Sequence, residues 1–167
     1  MLSDRPPVDQ GLGSVWTWRE FRFEVAGKLE LQRDASGGIQ SVNPAARYVK
    51  RGEVKIHQYG AGPFCEFRIR LPKPSGVYAF FENDQLRYVG KAANLDTELR
   101  SYGKLSPANC YIRGRETRCR VNNLIFKSCM AGSIMSVFYH KTEDYESLES
   151  TMIDELQPPW NIRGRTR

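Results

Sequence analysis

The stretch Gly76-Val77-Tyr78-Ala79-Phe80-Phe81-Glu82-Asn83-Asp84-Gln85-Leu86-Arg87-Tyr88-Val89-Gly90-Lys91 decides how the rest of the chain is read. Gly76 to Phe81 and Leu86 to Gly90 are rich in aromatic and β-branched residues, which suit a pleated and half-buried surface. Asn83-Asp84 between them is turn chemistry, because these short polar side chains tolerate left-handed backbone. The stretch therefore predicts a β-hairpin.

Downstream, the spacing predicts helix, helix, strand, helix. Asn94 is a suitable N-cap for a short helix with Leu95, Leu99 and Tyr102 on one face. Thr117 is the expected cap of a second helix, whose buried stripe would be Val121, Leu124, Ile125 and Cys129 and whose end is Gly132. Ser133 to His140 reads as a third strand. Thr142 to Gln157 reads as a third helix, with Tyr145, Leu148, Met152, Ile153 and Leu156 at helical spacing, and Pro158-Pro159 stops it.

Upstream, the signals are mostly β. Phe21 to Val25 alternates apolar and polar residues, and Lys28 to Gln32 alternates again. Asp34 to Gly38 is a turn; Val54 to Ile56 and Phe64 to Leu71 are further strand candidates. Pro72-Lys73-Pro74 makes a boundary. The expected organisation is a β-rich extension over residues 1–72 and a second domain over 73–167. Residues 1–14 read as a loose arm and Arg163 to Arg167 as a basic tail.

The chain of 167 residues suffices for one ordinary domain, or a small one with an extension. A net charge of +6 and a pI near 9.3 favour a polyanionic partner, since each neutralised phosphate releases counterions. Cys65, Cys110, Cys119 and Cys129 form no C-x-x-C pair, and His57 and His140 are far apart, so zinc has little support. Reduced cysteines, no secretory signal and no apolar run long enough to cross a bilayer make the cytoplasm the expected compartment, with no membrane partner.

The tyrosine triplets, Lys91 with Asn94-Leu95, Glu149 on a late helix and Asn161 twelve residues beyond it form one pattern. Over Ser75 to Asn161, about half the chain, this resembles the GIY-YIG nuclease family. That family includes homing endonucleases, restriction and phage enzymes and the incision module of bacterial excision repair. The resemblance implies an α+β fold: a small central antiparallel three-stranded sheet flanked by helices.

It also implies roles. Tyr78 would take the proton of the attacking water. A free tyrosine, with a pKa of about 10, is a poor base at neutral pH, so a nearby cation is needed, and Lys91 is the matching candidate. Tyr88 would help to order the site. Glu149 would hold a single divalent ion, Mg²⁺ or Mn²⁺, which suits one carboxylate plus phosphate and water. Asn161 would pin the chain end nearby, and Tyr102 stands where relatives often have tyrosine or histidine. A shared site needs Tyr78 and Tyr88 on one sheet face. A two-residue loop at Asn83-Asp84 would separate them; a three-residue loop or a bulge would unite them, and this shared face is expected.

The sequence departs from the family at one position. Counting ten residues from Tyr88 reaches Glu98, where the family has a phosphate-contacting arginine. Arg100 is no substitute, because two residues turn a helix by about 200°. Glutamate would repel the phosphate, and losing one such stabilising group costs a factor of roughly 100 to 1,000. The chain is thus expected to be an inactive variant of a DNA endonuclease. It is either an engineered variant, which the otherwise intact motif set favours, or a natural member that only binds.

Arg113, Arg115, Arg118, Arg120 and Asn122 crowd the start of the second helix and are the expected DNA contacts. Trp16, Trp18, Arg19, Arg22, Arg47, Tyr48, Lys50 and Arg51 could supply stacking and phosphate contacts or simply be core aromatics and surface charges. A sequence- or structure-selective endonuclease in a restriction or phage setting leads the readings. A non-catalytic nucleic-acid-binding module and a protein-interaction domain are the alternatives. One tyrosine–metal site cuts one strand, so cutting both needs a homodimer or two nicks.

Overall fold

A computed structural model describes residues 15–162; the expected arm over 1–14 and basic tail over 163–167 lie outside them. In chain order the elements are β1 (Val15–Trp18), β2 (Phe21–Lys28), β3 (Glu30–Leu31), α1 (Ala46–Lys50), β4 (Phe67–Arg68), β5 (Gly76–Glu82) and β6 (Gln85–Ala92). They continue with α2 (Leu95–Gly103), α3 (Pro107–Cys110), α4 (Glu116–Met130), β7 (Met135–Lys141) and α5 (Tyr145–Leu156).

The α+β class holds, and the three expected strands form the antiparallel group β7-β5-β6. The sheet is wider than three strands, however: its order is β1-β2-β7-β5-β6. Without β2, the outer side of β7 would expose a row of unpaired backbone groups. The N-terminal hairpin supplies those partners through Glu24↔Tyr139, Val25↔Phe138, Gly27↔Val137 and Lys28↔Ser136. The register shifts between Val25 and Gly27, where Gly27 has a φ of 138° that few other residues adopt.

The described chain forms two compact units, and they do not divide at residue 72. Residues 15–29, 70–98 and 134–162 make the first; residues 30–69 and 99–133 make the second. Pro72–Pro74 follows the point, between Ile69 and Arg70, where the chain passes from the second unit to the first.

In the first unit, alternation along β5 sends Val77, Ala79 and Phe81 to one face. There they pack with Trp16, Phe23, Val89, Phe138 and the stripe Leu148, Met152 and Ile153 of α5. Burial of each large apolar side chain contributes about 1.5–3 kcal/mol. Asp144 rather than Thr142 occupies the N-cap of α5, and the Thr142 hydroxyl accepts the Asp144 N–H at 3.1 Å.

The second unit packs around Ala45, Phe64, Leu105, Cys110 and Cys119. The long strands expected over 54–56 and 64–71 shrink to the bridges Ile56↔Tyr111 and Val42↔Phe64 and the two-residue pair β3–β4. Gly60, Gly62 and Pro63 interrupt extended pairing in this segment. The short helices α1 and α3 were not expected. Ser106-Pro107 starts α3, with Asn109 Oδ1 accepting the Ser106 N–H at 2.8 Å. Arg115, not Thr117, is the N-cap of α4, and Gly132 follows its end with a φ of 91°. The four cysteines are free thiols. Among the described residues, no helix is long and apolar enough to cross a membrane.

Candidate active site

The hairpin β5–β6 builds the site's floor. Glu82 pairs with Gln85 across a two-residue turn in which Asn83 has a φ of 55°. That turn alone would send the tyrosines to opposite faces. The register then shifts: Phe81 faces Leu86 but Phe80 faces Tyr88, leaving Arg87 as the extra residue of a bulge. The bulge restores the shared face. Tyr78 and Tyr88 lie with ring centroids 6.2 Å apart and planes at 40°, and Phe80 contacts both. Arg87 Nε donates to Glu82 Oε2 at 2.8 Å.

Tyr78 is 1% exposed and its cross-strand partner is Gly90. Its ring lies directly over that glycine, leaving no room for a side chain there. Tyr139 faces Tyr78 from β7, and its hydroxyl donates to Glu24 Oε2 at 3.0 Å. Burial, followed by that acceptor and its charge, raises the Tyr139 phenol above its ordinary range. Sequence reasoning missed Glu24 and Tyr139, because only the β2–β7–β5 pairing reveals their position.

The strand register places Lys91. It pairs with Val77, so strict alternation points it to the face opposite Tyr78. There it lies 3.9 Å from Glu146 of α5, both side chains being solvent-exposed.

Asn161 is tied to β6 by both ends of its amide. Its Oδ1 accepts the Val89 N–H and its Nδ2 donates to the Val89 carbonyl, each at 2.9 Å. The Trp160 N–H also donates to the Arg87 carbonyl at 2.9 Å. The post-helix segment thus supplies the outer edge of β6 with partners between Tyr88 and Gly90.

Glu149 is 9% exposed and belongs to the buried stripe of α5 with Leu148, Met152 and Ile153. It is no solvated helix residue. One nearly buried carboxylate fits the donor set of an ion that keeps most of its waters, such as Mg²⁺. Among the described residues, no cluster of three or more acidic, histidine or cysteine side chains offers a fuller cage.

Asn94 caps α2 as expected, its Oδ1 accepting the Thr97 N–H at 3.0 Å. Leu95, Leu99 and Tyr102 are buried, and Arg100 is exposed on another side of the helix. Glu98 is half-buried on α2, one turn before Tyr102. Tyr78, Tyr88, Lys91, Glu98, Glu149 and Asn161 all belong to the first unit, whereas Tyr102 belongs to the second.

The expected DNA contacts divide. Arg113 and Arg115 are exposed, with Arg118 and Arg120 half-buried. Asn122 is not a surface reader: it is 0% exposed. Its Oδ1 accepts the Cys65 N–H at 3.0 Å, and its Nδ2 donates to the Cys65 and Tyr102 carbonyls at 2.9 and 2.7 Å. The helix turns it inward, one residue after buried Val121.

No protein-family model matches the chain. It is similar to UvrABC system protein C of Helicobacter hepaticus, 37% identical over 97 residues that make up 55% of this chain and 14% of that protein. The same protein of Campylobacter jejuni is 33% identical over 93 residues, and that of Helicobacter pylori 32%. The chain thus spans about a seventh of the length of these relatives. A mutant of bacteriophage T4 EndoII overlays with a TM-score of 0.45 at 21% identity, covering 65% of this chain and 87% of that one. That overlay is too loose to carry an argument.

Proposed function

We propose that the chain carries a domain of the GIY-YIG family, the reading its similarity to UvrABC system protein C supports, and that its ancestral reaction is the metal-dependent hydrolysis of phosphodiester bonds in DNA. The shared face of Tyr78 and Tyr88, 6.2 Å apart over Gly90, carries this reading. It gives one site two phenols, as the family pattern requires. The basic charge of the chain supports DNA as substrate.

In this reading, Tyr78 Oη accepts the proton of an attacking water, and Phe80 and Tyr88 fix its ring. Glu149 would hold a divalent ion, Mg²⁺ or Mn²⁺, which would supply positive charge for the developing phosphorane. Asn161 keeps the β6 edge in place beside Tyr88. Lys91 lies on the sheet face that packs against α5, the helix that carries Glu149.

Glu98 stands where an arginine would grip the phosphate, so this chain is proposed to hold DNA without cutting it. Glutamate both removes a planar donor fork and adds repulsion. The Glu98→Arg protein, assayed with Mg²⁺ on a pooled duplex library, should gain at least about 100-fold in cleavage. Glu149→Gln in that background should remove the gain. Sequencing the cut ends would reveal whether the selectivity is for sequence or for structure, as in a restriction or phage-type enzyme.

The half-buried Glu98 also favours a second reading, a non-catalytic nucleic-acid-binding member of the family. No cutting by Glu98→Arg on any DNA, with binding intact, would establish it.

A further inference from the structure

Residues 46–55 and 111–115 are distant in sequence but adjacent within the second unit. Ile56 and Tyr111 form a β-bridge, and the Ile112 N–H donates to the Lys55 carbonyl at 3.0 Å. Tyr48 of α1 meets Tyr111 edge-to-face, centroids 6.2 Å apart and planes at 83°. Arg47 and Lys50, three apart on α1, are exposed, as are Lys55, Arg113 and Arg115. Across the two segments the one acid is Glu53, which lies 3.8 Å from Arg51. The positive charge is therefore almost uncompensated.

We infer that these two segments form a single surface that grips the phosphate backbone of duplex DNA, with Tyr48 and Tyr111 as its floor. It deepens the nuclease reading, on which it rests for its substrate. The aromatic pair favours a duplex over a single strand. A single-strand surface needs ring faces free for stacking on unpaired bases. Tyr48 and Tyr111 are half-buried and pack on each other, so they shape the surface and leave binding to the cations. Neutralising phosphates is sequence-independent, so this surface sets affinity and register, not the site read.

The test is the salt dependence of duplex binding, measured by fluorescence anisotropy without divalent ions. The unaltered protein is compared with the triple variant Arg47→Gln, Lys50→Gln, Lys55→Gln, with the pair Arg113→Gln, Arg115→Gln, and with Lys127→Gln as an exposed control on α4. Each phosphate that a variant no longer neutralises should lower the slope of log K against log salt by about 0.9. The triple variant and the pair should both bind more weakly with shallower slopes, and the control should not change. Thermal unfolding checks each fold, and single Lys50→Gln replaces the triple variant if that one melts early. An unchanged slope and affinity in the α1-segment variant, with weaker binding by the Arg113/Arg115 pair, would overturn the single surface and leave the nuclease reading standing. Tighter binding of single strands or RNA, abolished in the same variants, would overturn duplex DNA as its ligand. No duplex binding by the unaltered protein at low salt would remove both.

Discussion

The phenol of Tyr78 fills the space in which a side chain at Gly90 would begin: a Cβ there would lie 2.4 Å from the Tyr78 hydroxyl oxygen and from its Cζ. Neither atom can yield easily, because the ring is packed by Phe80 and Tyr88. Gly90→Ala should therefore displace the ring, at a cost of about 1–3 kcal/mol typical of an overpacked core. In the Glu98→Arg background it should also remove cleavage. Chemical denaturation and a nicking assay would check the two effects, and an unperturbed stability would show that Tyr78 has somewhere else to go.

Asn161→Ala removes both hydrogen bonds to Val89 and leaves a strand-edge N–H and carbonyl without their partner. Each such orphaned group costs about 1–3 kcal/mol when water cannot reach it. The expected readout is local: faster hydrogen exchange at the Val89 and Trp160 amides, with β5 protection retained. Asn161→Asp should not rescue, because a carboxylate cannot donate to the Val89 carbonyl.

Asn122→Ala should destabilise the second unit by several kcal/mol, since it abandons the Cys65 N–H and two carbonyls in a buried site. Its DNA affinity, measured at a temperature where the variant is folded, should equal that of the parent. A selective loss of affinity with unchanged stability would instead make Asn122 a DNA-binding residue.

Burial pushes the Cys65 thiol up to about 12, with the Cys129 charge adding to the effect, from an ordinary value of 9.0. The folded thiol holds its proton more tightly than the unfolded one. Its stabilising effect is complete below pH 9 and is lost as pH rises from about 9 towards 12. Denaturation curves across that window should lose at most about 1.4 kcal/mol per pH unit to this group. Cys65→Ala should flatten the slope, and an identical slope in that variant would assign the loss to other groups.

Much of the hairpin and its three helices was legible because local signals agreed with the fold: Asn94 caps α2, and the Leu148–Met152–Ile153 spacing buries one side of α5. The bulge at Arg87 was anticipated as one of two ways to unite the tyrosines, but nothing local marks it in advance. The face of Lys91 followed from register, a property of two strands together. Asparagine beside arginines looks like a DNA reader, and only the helical phase shows Asn122 facing Cys65. The strand-poor segment around Gly60 and Pro63 owes its shape to contacts with residues about 50 positions away, such as Cys110 and Tyr111, which no window of sequence contains.

The partnership of β2 with β7 has a consequence for inheritance and for transplantation. A recombination event, or a graft, that cut the chain at the proline-rich boundary would carry every signature residue from Gly76 to Asn161. It would still arrive with β7 stripped of Glu24, Val25, Gly27 and Lys28, a raw border ready to pair with a neighbouring molecule. The smallest portable piece therefore includes residues 15–29, far upstream of anything a signature would flag.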